Sequence, residues 1–180
     1  FTADWHIRPD RPICRKDDDW IDTQEEQLHF ITQQCAKYNC PLIIGGDIFH
    51  IPQVSDKLKN MVMDYLLRQE VYAIAGNHDL PYHSWKNVSD SSFGVLFKSG
   101  VIKDLLEFGV FVHFGNNIEG YKDEIVFIHE PIFASASDCP PNMKAKTAEE
   151  ILEEYPDAKW ILCGDIHKGF HYKKRDRHVI

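Results

Sequence analysis

The chain lacks several features that define large classes of protein. It has no run of about eighteen apolar residues, so we expect no membrane-spanning helix. No basic segment followed by an apolar one opens the sequence, so we expect no export signal. Its five cysteines form no CxxC pair, and their odd number suits reduced thiols better than a disulfide framework. These absences favour a cytoplasmic protein.

Signatures of common nucleotide- and calcium-binding sites are missing as well. The sequence contains no glycine-rich Rossmann or P-loop motif. The acidic run at residues 17–19 lacks the glycine and the terminal glutamate of an EF-hand loop. Any ligand site must therefore be built from other polar residues.

Positive charge is also scarce. The chain has 20 Lys and Arg against 28 Asp and Glu, a formal net charge of −8, which argues against a general nucleic-acid coat. The basic residues that are present fall into two clusters, each of which is either a solvated face or a phosphate-binding surface. They are Arg8, Arg11, Arg15 and Lys16, and Lys168, Lys173, Lys174, Arg175 and Arg177.

Apolar strand patterns alternate with amphipathic helix patterns along the chain. A length of 180 residues, 43% of them hydrophobic, predicts one domain over residues 1–180 with a packed core. Capping boxes at Thr23 and Thr147 and a serine cap at Ser55 predict three helix starts, and residues 93–98 form a fourth, short helix pattern.

The second half of the chain is richer in strand patterns. "VIKDLLEF", "VFVHFG", "EIVFIHE" and "KWILCG" follow one another, and "FHYKK" with "RHVI" predicts a closing hairpin. The sequence therefore predicts an α/β protein with more antiparallel strands in its later part.

Polar residues that can bind metals follow the apolar strands at five places. The segments are "TADWH", "IIGGDIFH", "AIAGNHD", "IVFIHE" and "ILCGDIH". Ligands of open α/β sheets bind at the carboxyl ends of the strands, so these segments can converge on one face. The candidate metal ligands are Asp4, His6, Asp47, Asn77, His129, Asp165 and His167.

These residue types suit divalent cations. Carboxylate, imidazole and amide oxygen ligands fit Mn, Fe, Zn or Mg. Seven ligands are too many for one tetrahedral ion, and they fit two ions that share a bridging carboxylate. A lone histidine at a strand end is usually structural, but five such segments in one chain favour a metal site.

The ordered motifs D-x-H, G-D-x-x-H, G-N-H-D, a single histidine and G-x-x-H resemble the calcineurin-like metallophosphoesterases over residues 4–167. "DWH", "GGDIFH" and "GNHDLP" are most similar to the SbcD-like DNA-repair nucleases and their archaeal and eukaryotic counterparts. The resemblance implies a four-layer αββα sandwich of two mixed β-sheets flanked by helices. It also implies a metal-dependent hydrolase of phosphate esters with two metal ions between the sheet ends.

The resemblance distributes the candidate ligands over two ions, for which we expect Mn, with Mg, Fe, Zn and Ni as alternatives. The family usually ends this series with G-H-x-H, whereas this chain has Asp165 in place of the first histidine. We expect Asp165 to remain a ligand, and the alternative is a weakened or empty second site. The implied sets are Asp4, His6, Asp47 and His167 for one ion, and Asp47, Asn77, His129 and Asp165 for the other.

Three further residues are candidates for handling the substrate. The resemblance makes His78 of the GNHD motif the candidate general acid, with Asp79 orienting the loop. His50 matches a histidine that the archaeal and eukaryotic nucleases place beside the phosphate, and a structural loop histidine is the alternative. Arg8 stands where the bacterial nucleases usually have a small residue, and its guanidinium can grip a phosphate.

Three functional hypotheses follow from this reading. The first is a nuclease-like phosphodiesterase whose phosphodiester substrate could be DNA. The second is a small-molecule phosphatase or phosphodiesterase that uses the same site, and the third is a binding scaffold without turnover. The SbcD-like nucleases append a DNA-gripping domain and a segment for an ATPase partner, and we expect no room for either within 180 residues.

Overall fold

The computed structural model describes residues 1–105 and 124–180, together with the backbone of Val110–Val112. The helices are α1 (Trp20–Tyr38), α2 (Asp56–Leu66), α3 (Ser92–Lys98) and α4 (Ala148–Glu154). The strands are β1 (Leu42–Gly45), β2 (Val71–Ile74), β3 (Val110–Val112), β4 (Ile125–His129), β5 (Ile132–Phe133), β6 (Lys146–Thr147), β7 (Trp160–Gly164), β8 (Tyr172–Lys174) and β9 (Arg177–Val179).

The first sheet has the parallel pair β1–β2 at its centre. The opening segment of the chain runs alongside β1, with parallel bridges from Thr2 to Ile44 and from Ile7 to Phe49. On the far side of β2, Lys103 forms a parallel bridge with Tyr72. This arrangement brings the first polar motif, which lies between residues 2 and 7, beside the end of β1.

The second sheet has the strand order β3-β4-β7-β9-β8. Its neighbouring strands are parallel except for the β8–β9 hairpin, and a short parallel pair, β5–β6, lies apart from it. The predicted closing hairpin is confirmed. The prediction of more antiparallel strands in the later part is wrong, because β8–β9 is the one antiparallel pair among the strands described.

The two sheets pack face to face through alternate residues of their strands. Tyr72 and Ile74 of β2 share one buried cluster with Phe127 of β4, and Ile43 and Leu162 pack against this cluster. Side chains of a strand point alternately to opposite faces, so the residues between these positions face outward. Each sheet therefore has one face on its partner and one face free for helices.

Helices cover both outer faces. Helices α1, α2 and α3 pack on the first sheet through one apolar cluster, and α4 packs on the second sheet through another. Four layers result, in the order helix, sheet, sheet, helix. This arrangement confirms the predicted four-layer α/β sandwich.

Most of the predicted helix starts are confirmed. Ser55 caps α2, and Thr147 with Glu150 forms a full capping box on α4. The capping box predicted at Thr23 is wrong, because α1 begins at Trp20 and Asp19 caps it by accepting the backbone N–H groups of the next turn. An aspartate cap satisfies the same free amides that a threonine would.

The predicted strand over residues 101–108 is wrong where it can be followed, since residues 101–105 contribute only the bridge at Lys103. Residues 106–108 lie outside the described residues. The prediction at "VFVHFG" is confirmed over Val110–Val112, and its last three residues also lie outside them. None of the helices in the described ranges has both the length and the apolar character that a membrane span requires.

Arg177, a member of the second basic cluster, has a structural role. Its guanidinium donates to the carbonyls of Leu152, Tyr155 and Ala158 at distances of 2.5–2.7 Å. These carbonyls lie at and beyond the end of α4, where the helix leaves acceptors without partners. Lys174 is also engaged, in an ion pair with Glu149. Two of the five residues of this cluster, Arg177 and Lys174, therefore make contacts within the fold.

Candidate metal centre

The carboxyl ends of the central strands meet at one edge of the sandwich. In the second sheet His129 of β4 is in register with Gly164 of β7, and in the first sheet Gly45 of β1 is in register with Ile74 of β2. Each strand is followed by one of the polar segments found in the sequence. The residues brought together here include all seven candidate ligands: Asp4, His6, Asp47, Asn77, His129, Asp165 and His167.

Asp47 lies at the centre of this edge and is 1% exposed. Its Oδ1 accepts the backbone N–H of His78 at 2.9 Å. Its Oδ2 lies 3.5 Å from Nε2 of His6 and 3.4 Å from Nε2 of His129. Burial would raise the pKa of Asp47, but the hydrogen bond and charge of His129 outweigh it and hold this pKa below its usual range.

His129 joins the two sheets. Its Nδ1 donates to the carbonyl of Gly45 at 2.7 Å, which leaves Nε2 directed at the polar cluster. Nε2 lies 3.2 Å from Oδ1 of Asn77 and 3.7 Å from Oδ1 of Asp165. Burial opposes a charge on this ring, but the hydrogen bond and charge of Asp47 outweigh burial and raise the pKa of His129 to about 9.

A second group of side chains surrounds His6. Its Nε2 faces Nε2 of His167 at 3.0 Å, and the latter nitrogen lies 3.7 Å from Oδ1 of Asp4. The backbone N–H of Asp165 donates to both carboxylate oxygens of Asp4, at 3.1 and 3.2 Å. Burial lowers the pKa of His6 to about 4, so its ring is neutral at pH 7 and can offer a lone pair to a metal.

The side chains fit divalent cations in donor type and in charge. Burial raises the pKa values of both Asp4 and Asp165, because the carboxylate form is disfavoured in this partly desolvated cluster. A cation between them would favour the charged forms. Among the described residues, three groups of three have ligand atoms within 4.8 Å of one another and could hold a metal ion: Asp4, Asp47 and His129; Asp4, His6 and His167; and His6, His50 and His78.

Four of the candidate ligands have unusual backbone angles. The φ angles of Asp4, His6, Asp47 and Asp165 are 58°, 46°, 54° and 93°. Residues other than glycine rarely adopt this left-handed region, and such conformations concentrate at functional sites. The sharp turns aim successive polar side chains at one point directly after the strands end.

Two glycines leave the room that these side chains occupy. A Cβ atom added to Gly76 would lie 2.1 Å from Oδ1 of Asp47. A Cβ atom added to Gly46, where φ is +101°, would lie 2.3 Å from Nδ1 of His129. Any side chain at either position would displace a candidate ligand.

His50 and His78 lie next to this centre and contact each other. Their rings stack with centroids 5.1 Å apart, and Nδ1 of His78 donates to the backbone carbonyl of His50 at 2.7 Å. The ring of His78 also lies 4.8 Å from that of His6. The structure therefore places both predicted catalytic histidines at the rim of the candidate metal centre. The hydrogen bond to the His50 carbonyl uses Nδ1 of His78 and does not involve its Nε2.

Arg8 reaches the same rim and is held there. Its Nη1 donates to Nε2 of His50 at 2.9 Å, and its Nη2 pairs with Asp10. Gln24, which is buried in α1, donates to the backbone carbonyl of Arg8 and accepts its N–H, each at 2.9 Å. Burial, together with the charge of Arg8, lowers the pKa of His50.

Sequence reasoning did not identify Asp10 and Gln24 as parts of the site. Asp10 belongs to none of the motifs, and Gln24 lies inside the T-x-x-E pattern that predicts a capping box at Thr23. The signal in the sequence is the spacing of Gln24 from Leu28, Ile31 and Cys35, which places an amide on the apolar face of the helix. Buried amides are almost always paired, so a glutamine there indicates a specific partner.

Asp79 ties together the two loops that carry His50 and His78. Its fully buried carboxylate accepts the backbone N–H groups of Ile48, Phe49 and Gly76 at 3.0–3.3 Å. Burial, together with the nearby charge of Asp47, raises the pKa of Asp79 to about 7. Its contacts agree with the expectation that Asp79 orients the loop of the GNHD motif.

The comparison with known families agrees with this geometry. The family model of the calcineurin-like phosphoesterases matches residues 1–169, and the chain therefore belongs to that family. No curated protein sequence matches the chain. Membership assigns it to the metal-dependent hydrolases of phosphate esters, and its Asp and His groups are candidates for holding the divalent metal.

Replacing Gly76 with alanine should weaken metal binding. The added methyl group collides with the Asp47 carboxylate and must move it, and loss of support around a ligand typically costs about 10–100-fold in metal affinity. Titration calorimetry with Mn measures the effect. Gly169→Ala is the matched control, because nothing lies within 4 Å of the added methyl group there. Equal affinities for the two variants would contradict this view of the centre.

The metal-free protein should lose stability between pH 7 and pH 9. The folded pKa of His129, about 9, exceeds the ordinary histidine pKa of 6.5, so the native state keeps a proton that the unfolded state releases. The free energy of unfolding should fall by up to about 1.4 kcal/mol per pH unit in this range. Urea unfolding in the presence of a chelator at pH 7, 8 and 9 measures it.

Metal should abolish this pH dependence. Ligands bind metal in their deprotonated forms, so His129 in Mn-saturated protein keeps no proton that the unfolded chain has released, and the stability should be nearly constant over the same pH range. A metal-free protein whose stability is constant or rises from pH 7 to pH 9 would contradict the pairing of His129 with Asp47.

Proposed function

We propose that the chain is a two-ion phosphodiesterase of the nuclease type in which both ions share the carboxylate of Asp47. The supporting observation is the position of its Oδ2, 3.5 Å from His6 on one side and 3.4 Å from His129 on the other. A bridging carboxylate needs this placement between two ligand groups. We assign Asp4, His6, Asp47 and His167 to one ion, and Asp47, Asn77, His129 and Asp165 to the other.

Bound divalent ions would supply a water of lowered pKa and would polarise a phosphate oxygen. The side chains of the chain do the remaining work. The hydrogen bond from Nδ1 of His78 to the His50 carbonyl fixes the ring, so a proton on Nε2 can be given to the departing oxygen. The stack with His50 holds the ring in this orientation.

Arg8 and His50 are proposed to hold the phosphate. The side chain of Arg8 is 22% exposed, so its guanidinium can still meet a substrate oxygen although it already contacts His50 and Asp10. Asp10 limits the freedom of this guanidinium and so pre-organises it. His50 links Arg8 to His78, and the three side chains form one wall of the site.

Manganese is the proposed ion. Asn77, Asp47 and Asp165 offer oxygen atoms to the second ion, and His129 is the one nitrogen ligand we assign to it. Oxygen-rich sets suit Mn or Mg better than nitrogen-rich sets, which suit Zn.

A nucleic acid is the proposed class of substrate, and the support comes from sequence. The motifs "DWH", "GGDIFH" and "GNHDLP" are similar to those of the SbcD-like nucleases. The net charge of −8 and the engagement of Arg177 and Lys174 in the fold argue for weak, salt-sensitive binding of duplex DNA. Single strands and short diesters are therefore the better substrates to test.

A substrate panel with each divalent metal tests this function. We expect Mn-dependent hydrolysis of bis-p-nitrophenyl phosphate well above that of the mono-ester, and cleavage of single-stranded DNA above that of duplex. A preference for the mono-ester would favour a phosphatase on the same site. Metal binding without turnover on any substrate would favour a scaffold.

Replacing His78 with asparagine should slow turnover without releasing metal. Loss of a general acid typically costs about 10²–10⁴-fold in rate. The loss should be large for an alkoxide leaving group and small for p-nitrophenolate, which departs without a proton. Steady-state kinetics with both substrates, together with elemental analysis of bound Mn, measures it. Equal losses for the two leaving groups would argue against the acid role.

Asp165 should decide whether the second ion binds. Its Oδ1 faces Nε2 of His129 across 3.7 Å, so Asp165→Ala should reduce bound Mn from about two ions per chain to about one. Asp165→His should retain two ions and shift metal preference towards Zn, because imidazole is the softer ligand. Elemental analysis after reconstitution measures both. Unchanged stoichiometry in Asp165→Ala would remove this residue from the ligand set.

A further inference from the structure

An open cleft lies beside the two candidate catalytic histidines. Its volume is ≈ 580 Å³, within the range of small-molecule sites. The segment that follows His50 forms one wall, and the turn that follows His78 forms the other. The lining residues are Ile51, Pro52, Gln53, Pro81, Tyr82 and Asp90.

The walls of the cleft are held by hydrogen bonds. The carbonyl of Pro52 accepts the N–H of Ser92 at 2.7 Å, and the side-chain amide of Gln53 donates to the carbonyl of Asp90 at 2.9 Å. On the other wall, the ring of His83 donates through Nδ1 to the carbonyl of Asn77 at 2.9 Å. The cleft is therefore formed before a ligand arrives.

Tyr82 lies on the wall formed by the turn after His78, and its backbone conformation is unfavourable for a tyrosine. The residue is 91% exposed, and its φ of 55° places a bulky aromatic residue in the left-handed region. His83, the next residue, has a φ of 51°. The turn itself is held by backbone hydrogen bonds from His83 to Leu80 and from Ser84 to Pro81. An exposed aromatic ring adds nothing to the core, so packing does not explain why a tyrosine occupies this turn position.

We propose that this cleft binds the nucleobase of the leaving nucleoside, with Tyr82 as the stacking platform. The assignment rests on the proposed function, because His78 is the group that would protonate the leaving oxygen. The nucleoside attached to that oxygen must lie on the His78 side of the phosphate. The cleft begins at the residues that follow His50 and His78, so a base attached to that nucleoside can reach it.

The chemistry of the lining favours a base over a second phosphate. The six lining residues include the carboxylate of Asp90 and no basic side chain. A phosphate would be repelled there, whereas an uncharged base can stack on Tyr82 and pack against Ile51, which is 48% exposed. Asp90 can also accept the amino group that cytosine, adenine and guanine carry.

Three short diesters test the proposal. One carries cytosine on the 5′ side of the phosphate, one carries cytosine on the 3′ side, and one is abasic on both sides. All three have deoxyribosyl leaving groups of similar basicity. Analysis of the products shows which sugar departs without the phosphate. We expect a base on the departing sugar, and not on the other one, to raise kcat/KM roughly tenfold, the typical effect of one stacking contact.

Variants at Tyr82 separate stacking from structure. Asparagine tolerates a positive φ, so Tyr82→Asn removes the ring while it keeps the turn. It should reduce the ratio of kcat/KM between the base-bearing and abasic diesters to about one, and Tyr82→Phe should restore the ratio. Tyr38→Asn, at an exposed tyrosine on the last turn of α1, is the matched control and should leave the ratio unchanged.

Several outcomes would overturn the proposal. These are a wild-type protein without base preference, a preference for the base on the sugar that keeps the phosphate, or an equal loss on all diesters in Tyr82→Asn. If no diester is cleaved, the proposed function fails, and binding then decides about the cleft. Deoxycytidine monophosphate should bind wild type and Tyr82→Phe more tightly than deoxyribose phosphate does, and equal affinities would reject the cleft as a base site.

Discussion

The candidate metal centre depends on the contacts that the carboxylate of Asp47 makes. This carboxylate sits just beyond β1 of the first sheet and touches His129, which ends β4 of the second sheet. Because His129 also donates to the carbonyl of Gly45, the ring is fixed against both sheets at once. The relative position of the two sheets therefore sets the distances between the candidate ligands, and a change in sheet packing would change those distances.

The same edge of the sandwich carries the residues that would handle a substrate. Asp79 gathers the amides of two loops around one buried carboxylate, and each loop then supplies one of the stacked histidines, His50 and His78. Arg8 extends this wall from the first motif, and the cleft at Tyr82 continues it on the other side. The residues proposed to act on the phosphate and those proposed to bind the attached group therefore lie next to each other on the same rigid loops.

Much of the fold was predictable because local patterns and burial agree. An apolar run followed by glycine and a polar ligand, such as the segment that ends at Asp47, indicates the carboxyl end of a buried strand. This prediction does not require the strand order to be known. Strand direction could not be read from these patterns, since a parallel partner such as β7 lies far from β4 in sequence. The role of Arg177 was likewise hidden, because a guanidinium that serves carbonyls looks the same in a sequence as one that serves phosphates. The cap at Asp19 was missed because Thr23 matched a stronger pattern.

The hydrogen bonds from the backbone of Asp165 to the carboxylate of Asp4 join residues 161 positions apart. Closing so long a loop is entropically costly and makes these among the contacts of highest sequence separation in the fold. During synthesis, the first motif leaves the ribosome long before β7 does. Asp4 and His6 are therefore exposed before Asp165 and His167 have been made. A divalent metal ion present in that interval would find only part of its ligands. Tight metal binding would therefore indicate that β7 and the ligands that follow it have joined the sheet.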